Sequence, residues 1–319
     1  MRSTSQSTAS PDAGAVHRHA TRRSSWLTRA MMTIAAIACL LVASVQGASA
    51  SDRAVTSSRP SVESSATVSK RQAAEAAFTR ARFGIPNVTS SNWSGYADKN
   101  YTTKGKFASV AATWNVPEVA PAPSDCTAGT FATGEGLAGF WIGLDGSGDK
   151  TVEQTGTATE CYKGTAYYWS WYEMFPKGLV LIGTVNPGDQ ITASVKSTSS
   201  GYALSLKDVT SGAVNNVVES CPPKSVCKNQ SAEVIAEAPG GCVTAPGQTC
   251  RGSLYLLPDY RWATFHGINV HTTSASGGIG ASMFGPEDIT MVNSIAIKLA
   301  YVSSPISGNA FTDTWGASG

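Results

Sequence analysis

From Ser90 onward, runs of apolar, β-branched and aromatic residues alternate with clusters of Gly, Pro, Asn, Asp and Ser, and no long stretch has helical period. The runs predict strands at Lys106–Trp114, Ala138–Leu144, Thr151–Thr155, Ala166–Phe175, Gln190–Ser197, Tyr202–Asp208, Ala213–Glu219, Ala232–Ala238, Trp262–Val270 and Met291–Val302. Thr198-Ser199-Ser200-Gly201 joins two of them as a hairpin connection. Many short strands at regular spacing, with no 20–50-residue repeat, mean an all-β sandwich or barrel rather than a propeller.

The pattern before Ser90 is different. Ala30 to Val45 is an apolar run behind a basic segment containing Arg18, Arg22, Arg23 and Arg29, and Ala48-Ser49-Ala50 follows it. That order reads as a signal peptide over residues 1–50, because the apolar run is shorter than the roughly 20 residues a membrane span needs. Ser69 to Arg82 (SKRQAAEAAFTRAR) is rich in good helix formers and predicts a helix with Ser69 as N-cap, stopped by Gly84 and Pro86. Residues 51–89 therefore read as a basic pro-segment, with a disordered basic tail as the alternative, and residues 90–319 as one domain.

Charge supports this division. Residues 1–89 carry 11 Lys/Arg against 4 Asp/Glu, and residues 90–319 carry 13 against 18. An acidic body without a basic stripe argues against nucleic acid as a partner. Six cysteines remain after the leader is removed, an even number that reads as disulfides in an exported chain. Pairing of neighbours is expected: Cys221–Cys227, Cys242–Cys250 and Cys126–Cys161. The four Asn-x-Ser/Thr sites, at Asn87, Asn92, Asn100 and Asn229, matter only in a host that glycosylates its exports.

Several chemistries are excluded by what is missing. There is no Gly-x-Ser-x-Gly, no His-Glu-x-x-His, no Asp-Thr-Gly or Asp-Ser-Gly pair and no phosphate-cradling loop. Only His266 and His271 remain in the body to serve a triad or a metal. What is left is aromatics, carboxylates and one amide in a β frame. Alternation along a strand places Gln154 on the face of Val152 and turns Glu153 to the other. It puts Glu233, Ile235 and Glu237 on one face, with the two carboxylates about 13 Å apart, too far to share a proton. Trp169, Trp171 and Glu173 also share a face, as a groove wall would.

The ordered set Ser-Asn-Trp-Ser-Gly (91–95), Trp-Ile-Gly-Leu-Asp-Gly (141–146), Glu-Gln-Thr-Gly (153–156), Trp-Tyr-Glu (171–173) and Ala-Glu-x-Ile-x-Glu (232–237) resembles the glutamic peptidases, or eqolisins. The resemblance runs from Asn92 to the C-terminus. It implies a sandwich of two antiparallel sheets, concanavalin-like or jelly-roll-like, with a concave substrate groove. It also implies a secreted acid endopeptidase without a cofactor, acting on polypeptides; a monomer is the default expectation for a secreted hydrolase. The implied catalytic pair falls on Gln154 and Glu237. Trp93, Trp141, Asp145, Trp171, Glu173 and Glu233 are read beside it as groove residues, with core packing the alternative for the tryptophans and a structural or supporting role the alternative for the carboxylates. Two positions depart from the family pattern: Val234 stands where an aromatic is usual, and Trp169 where a small acidic residue is expected. Paired carboxylates and tryptophans in a β groove would also suit a glycoside hydrolase, whose two carboxyl groups stand about 5–9.5 Å apart. A carbohydrate-binding or adhesion module is the non-catalytic alternative.

Overall fold

The computed structural model describes residues 85–120, 136–162, 164–241, 253–304 and 309–318. The expected signal peptide, the helix at Ser69–Arg82 and Cys126, Cys242 and Cys250 lie outside them. Among the described residues the molecule is nearly all β, the exceptions being a single helical turn α1 (Tyr101–Lys104) and a 3-10 turn at Ser282–Phe284.

The strands, in chain order, are β1 (Asn87–Ser90), β2 (Trp93–Asp98), β3 (Phe107–Asn115), β4 (Gly136–Asp145), β5 (Val152–Tyr162), β6 (Thr165–Phe175), β7 (Val180–Thr184), β8 (Gln190–Thr198), β9 (Gly201–Asp208) and β10 (Val214–Glu219). They continue with β11 (Ala232–Glu237), the short β12 (Gly240–Gly241) and β13 (Ser253–Leu254), β14 (Trp262–Thr272), the short β15 (Ser276–Gly277), β16 (Pro286–Val292), β17 (Lys298–Ser304) and β18 (Phe311–Trp315). One hydrogen-bonded path runs β10-β9-β8-β3-β14-β18-β17-β16-β2-β11-β4-β5-β6-β7. Its pairings are antiparallel, and parallel β1 joins it beside β16. The path folds over on itself, so that β4, β5 and β11 pack across from β3, β8, β9 and β14. This is the expected sandwich, with the two sheets continuous through β16–β18.

Burial follows from position in the sandwich. On β8 and β9, Ile191, Ala193, Val195, Leu204 and Leu206 point inward while Thr192, Lys196 and Lys207 face solvent, the two-residue period of a sheet with one wet face. Between the sheets, Trp114, Phe140, Phe265 and Tyr260 are fully buried, and the Trp114 indole donates to Thr157 Oγ1 across the layer at 3.0 Å. Strands β4, β5 and β11 are buried almost throughout. Their second face carries another apolar layer, built around Trp141, Trp171, Ile235 and Ile289.

The strand expected over Met291–Val302 is two strands, β16 and β17, with a turn between them. Asn293 Oδ1 accepts from the backbone N–H of Ile295 and of Ile297, and Ala296 takes φ 65°. An Asn side chain that captures its own downstream amides offers the backbone an alternative to the ladder. The strand expected over Thr151–Thr155 runs on to Tyr162. Residues 87–89, expected at the end of the pro-segment, are strand β1 of the sheet. Cys221–Cys227 is a disulfide, and Cys161 is also disulfide-bonded.

Candidate active site

The second face of the sheet is a concave floor laid down by register. Glu237 on β11 stands opposite Trp93 of β2 on one side and Gly139 of β4 on the other. Gln154 on β5 stands opposite Gly143 of β4 and Glu173 of β6. Gly156 separates Trp141 from Trp171 in the next row. A cleft of about 910 Å³ lies over this floor, lined among others by Asn92, Trp93, Gln154, Trp171, Glu173 and Glu237.

The floor is possible because small residues alternate with large ones. A Cβ on Gly156 would meet Phe140 O at 2.3 Å and Trp141 Cβ at 2.6 Å, so only glycine lets β4 and the Trp141 indole approach this closely. Trp141 is fully buried and meets Trp93 edge to face, with ring centroids 5.0 Å apart. Its ring is closed off from the cleft, and its Nε1–H is aimed at a carboxylate.

That carboxylate is Glu237. Trp141 Nε1 donates to Glu237 Oε2 at 2.7 Å and Asn92 Nδ2 donates to Oε1 at 3.1 Å. Burial pushes the Glu237 carboxyl above its ordinary range, and the donors Trp141, Trp93 and Asn92 oppose that shift.

Gln154 is 6% exposed. Its Nε2 donates to Glu173 Oε2 at 2.7 Å, while Oε1 is buried without a hydrogen-bond partner. Burial first, and the charge of Glu237 second, raise the Glu173 carboxyl to about 7, against the donation from Gln154. Glu237, Gln154 and Glu173 thus line one cleft with two tryptophans, Trp93 and Trp171, at its wall.

Three of the expected groove residues do not line the cleft: Trp141 is fully buried and reaches it only through its bond to Glu237, and Asp145 and Glu233 are placed elsewhere. Asp145 is fully buried at φ 63°, and its carboxylate accepts backbone N–H groups of Lys228, Asn229 and Gln230, each at 2.8 Å. It ties the loop before β11 to the end of β4, a structural duty. Glu233 is also fully buried; its Oε1 accepts from Ser147 N at 3.2 Å, and burial raises its carboxyl well above the ordinary range. Neither lines the cleft. Trp169, the departure noted in the sequence, does line it, and its indole donates to Glu160 at 3.3 Å. Asn92 was visible only as part of a motif, and its contact with Glu237 spans 145 positions of sequence. Lys99 and Glu287, an ion pair at 2.5 Å in the same cleft, carried no local signal.

Comparison with known proteins gives the family and agrees with the fold. A model of the Peptidase A4 family matches residues 91–314. The crystal structure of Scytalido-glutamic peptidase with a peptide-based transition-state analogue superposes with a TM-score of 0.55 at 23% identity, covering 70% of this chain and 98% of that one. SCP-B, a member of the eqolisin family of peptidases crystallised with the tripeptide Ala-Ile-His, gives a TM-score of 0.53 at 22% identity over the same shares. At these identities the superpositions speak for the fold. No curated protein matches the sequence.

Proposed function

The chain belongs to the Peptidase A4 family, the glutamic peptidases, and on that premise we propose that it is a secreted acid endopeptidase using Glu237 as general base and acid and Gln154 as oxyanion donor. The observation that carries the reading is a half-buried carboxyl, Glu237, held by Trp141 Nε1 and Asn92 Nδ2 in the cleft that Gln154 also lines.

The chemistry follows from the two groups. Ionised Glu237 removes a proton from a water molecule as its oxygen attacks the scissile carbonyl carbon. The carbonyl oxygen becomes an oxyanion, and an Nε2–H of Gln154 donates to it. Glu237, now protonated, gives its proton to the leaving amide nitrogen as the C–N bond breaks. One hydrogen of Gln154 Nε2 is engaged by Glu173, which leaves the second for the oxyanion. Burial raises Glu237, so the acid limb of activity lies above the pH at which an exposed glutamate would ionise. Gln154 does not titrate and serves at any acidity. Trp93, Trp169 and Trp171 give an extended polypeptide apolar walls to lie against.

Secretion is supported by the leader pattern at residues 1–50, and among the described residues no helix is long and apolar enough to cross a membrane. The test is cleavage of an unfolded protein from pH 2 to 7 with pepstatin present throughout. Internal fragments produced in acid support the reading. A folded, fully processed enzyme that cuts no protein at any pH but hydrolyses a polysaccharide would replace it with the glycosidase.

A further inference from the structure

The roles given to Glu237 and Gln154 leave Glu173, the cleft side chain that accepts from Gln154, without a part in the reaction. We propose that Glu173 is a positioning residue that fixes the Gln154 amide and, by its own charge state, sets the upper pH limit of catalysis. The inference rests on the assignment of Glu237 and Gln154 to the chemistry.

The geometry begins with register. Gln154 and Glu173 are direct partners across β5 and β6, so their side chains leave the sheet side by side on the cleft face. Nε2 of Gln154 meets Glu173 Oε2 at 2.7 Å, at the short end of the range for a nitrogen donor. A primary amide has two unlike ends. With an accepting oxygen of Glu173 turned to the amide, as here, turning the amide over would set acceptor against acceptor, so this pairing keeps the orientation that leaves an N–H free for the substrate.

The charge argument is separate. The oxyanion forms on the atom that Gln154 holds, one hydrogen bond beyond the amide that Glu173 anchors. An ionised Glu173 would stand on the order of 6 Å from that developing charge in a partly dry cleft, where like charges oppose each other strongly. A neutral Glu173 still accepts from Nε2 through its carbonyl oxygen and puts no charge there. The groups that face Glu173 from the packed elements are few. Glu237 on β11 is the charge that reaches it and adds to the effect of burial. Gln154 on β5 is uncharged, Glu153 lies on the opposite face of that strand, and β7 brings no titratable side chain. Lys177, in the turn after β6, is engaged by Glu219 at 3.5 Å, and Lys99 in the same cleft is engaged by Glu287. Among the described residues no cation therefore holds Glu173 ionised in acid, and the placement of its carboxyl at about 7 agrees with neutrality in acid.

The test is the pH profile of kcat and kcat/KM on a peptide substrate, for wild type, Glu173→Gln, Glu173→Ala and Glu237→Gln, each rate corrected for the folded fraction at that pH by circular dichroism. Glu173→Gln keeps an oxygen that accepts from Nε2 but cannot ionise. Its kcat at acid pH is expected within about threefold of wild type, and its alkaline limb is expected to move up by at least one pH unit. Glu173→Ala is expected to lose kcat by about 10- to 100-fold with KM nearly constant, and Gln is expected to rescue that loss. An alkaline limb unmoved in Glu173→Gln, or a Glu173→Ala enzyme with kcat within twofold of wild type, overturns the proposal. Should Glu173→Ala fold poorly, the limb of Glu173→Gln decides alone. Glu237→Gln separates the levels: if it is inactive while the limb stays put, only the role of Glu173 falls, and if it is active, the reading beneath it falls as well.

Discussion

Trp141 Nε1 donates to Glu237 Oε2 at 2.7 Å from a diagonal position, since the direct β11 partner of Trp141 is Ile235 and that of Glu237 is Gly139. The indole leans along β4 over that glycine. One fully buried ring thus reaches the cleft only as donor to its carboxylate. Trp141→Phe keeps most of the ring and deletes the donor. A hydrogen bond to a charged group contributes about 1.5–3 kcal/mol, equivalent to one to two pKa units. The acid limb of kcat/KM should therefore move upward by about that much, with activity at pH 3 falling about tenfold or more. Asn92→Ala should move the same limb in the same direction by less, its bond being longer at 3.1 Å. A limb that stays in place in both variants would separate these donors from Glu237.

Folding stability should decline as the medium becomes neutral. Burial raises Glu153 to about 9, with Asp145 adding to the effect, and raises Asp313 to about 7 against donation from Ser94 and Tyr260. A carboxyl whose folded pKa exceeds its unfolded value stabilises fully below the unfolded pKa, near 4, and loses that contribution as pH rises through the folded value. The window for Asp313 is thus about pH 4 to 7, and its contribution is on the order of a few kcal/mol. Thermal melts should show Tm falling from pH 4 to pH 7. Asp313→Asn should flatten that slope even if it lowers Tm at pH 4. An unchanged slope in the variant would contradict the assignment.

Gly156→Ala tests the floor itself. The added methyl would sit 2.3 Å from Phe140 O and 2.6 Å from Trp141 Cβ, and backbone cannot yield as a flexible side chain does. Overpacking of this kind costs about 1–3 kcal/mol or more. Tm should drop by several degrees, and peptidase activity should fall with it as the Trp141 ring is displaced. A variant with wild-type Tm and activity would mean that β4 and β5 can separate freely.

The basic segment before the domain invites a test of activation. Lys70, Arg71, Arg80 and Arg82 are expected to dock over an acidic domain at neutral pH and to release it in acid, when its carboxylates gain protons. Purified precursor shifted to pH 3–4 should shorten to a form beginning near residues 83–90. Precursor that stays uncut in acid, while added mature enzyme is active, would exclude this route.

How much of this could be read from the sequence depends on whether the information was local. Alternation along single strands put Gln154 and Glu153 on opposite faces, and the structure has Gln154 in the cleft and Glu153 buried away from it. The hairpin at 198–201 was a local turn signal, and β8 and β9 pair across it. Strand β2 was not foreseen. Its sequence WSGYAD lies between β11 and β16 and is buried on both faces, which erases the alternation. Strand β18 (FTDTW) is too short and polar to stand out, because its Asp313 is buried among partners from β2 and from Tyr260. Asp145 illustrates the converse. Its motif suggested the groove, but a positive φ at the end of β4 turns its carboxylate to three amides of a distant loop. Asn92 reaches Glu237 only once β2 and β11 have paired.

The central claim is that Glu237 does the proton transfers with Gln154 beside it. The direct measurement is the single-turnover rate of peptide cleavage at acid pH for Glu237→Gln against wild type, with pepstatin present and both proteins shown to be folded at that pH. The account predicts a loss of at least about 10³-fold in rate with substrate still bound, because an amide can neither take the proton from water nor return it to the leaving nitrogen. Cleavage by Glu237→Gln within tenfold of wild type would contradict it and place the base on another group of the cleft.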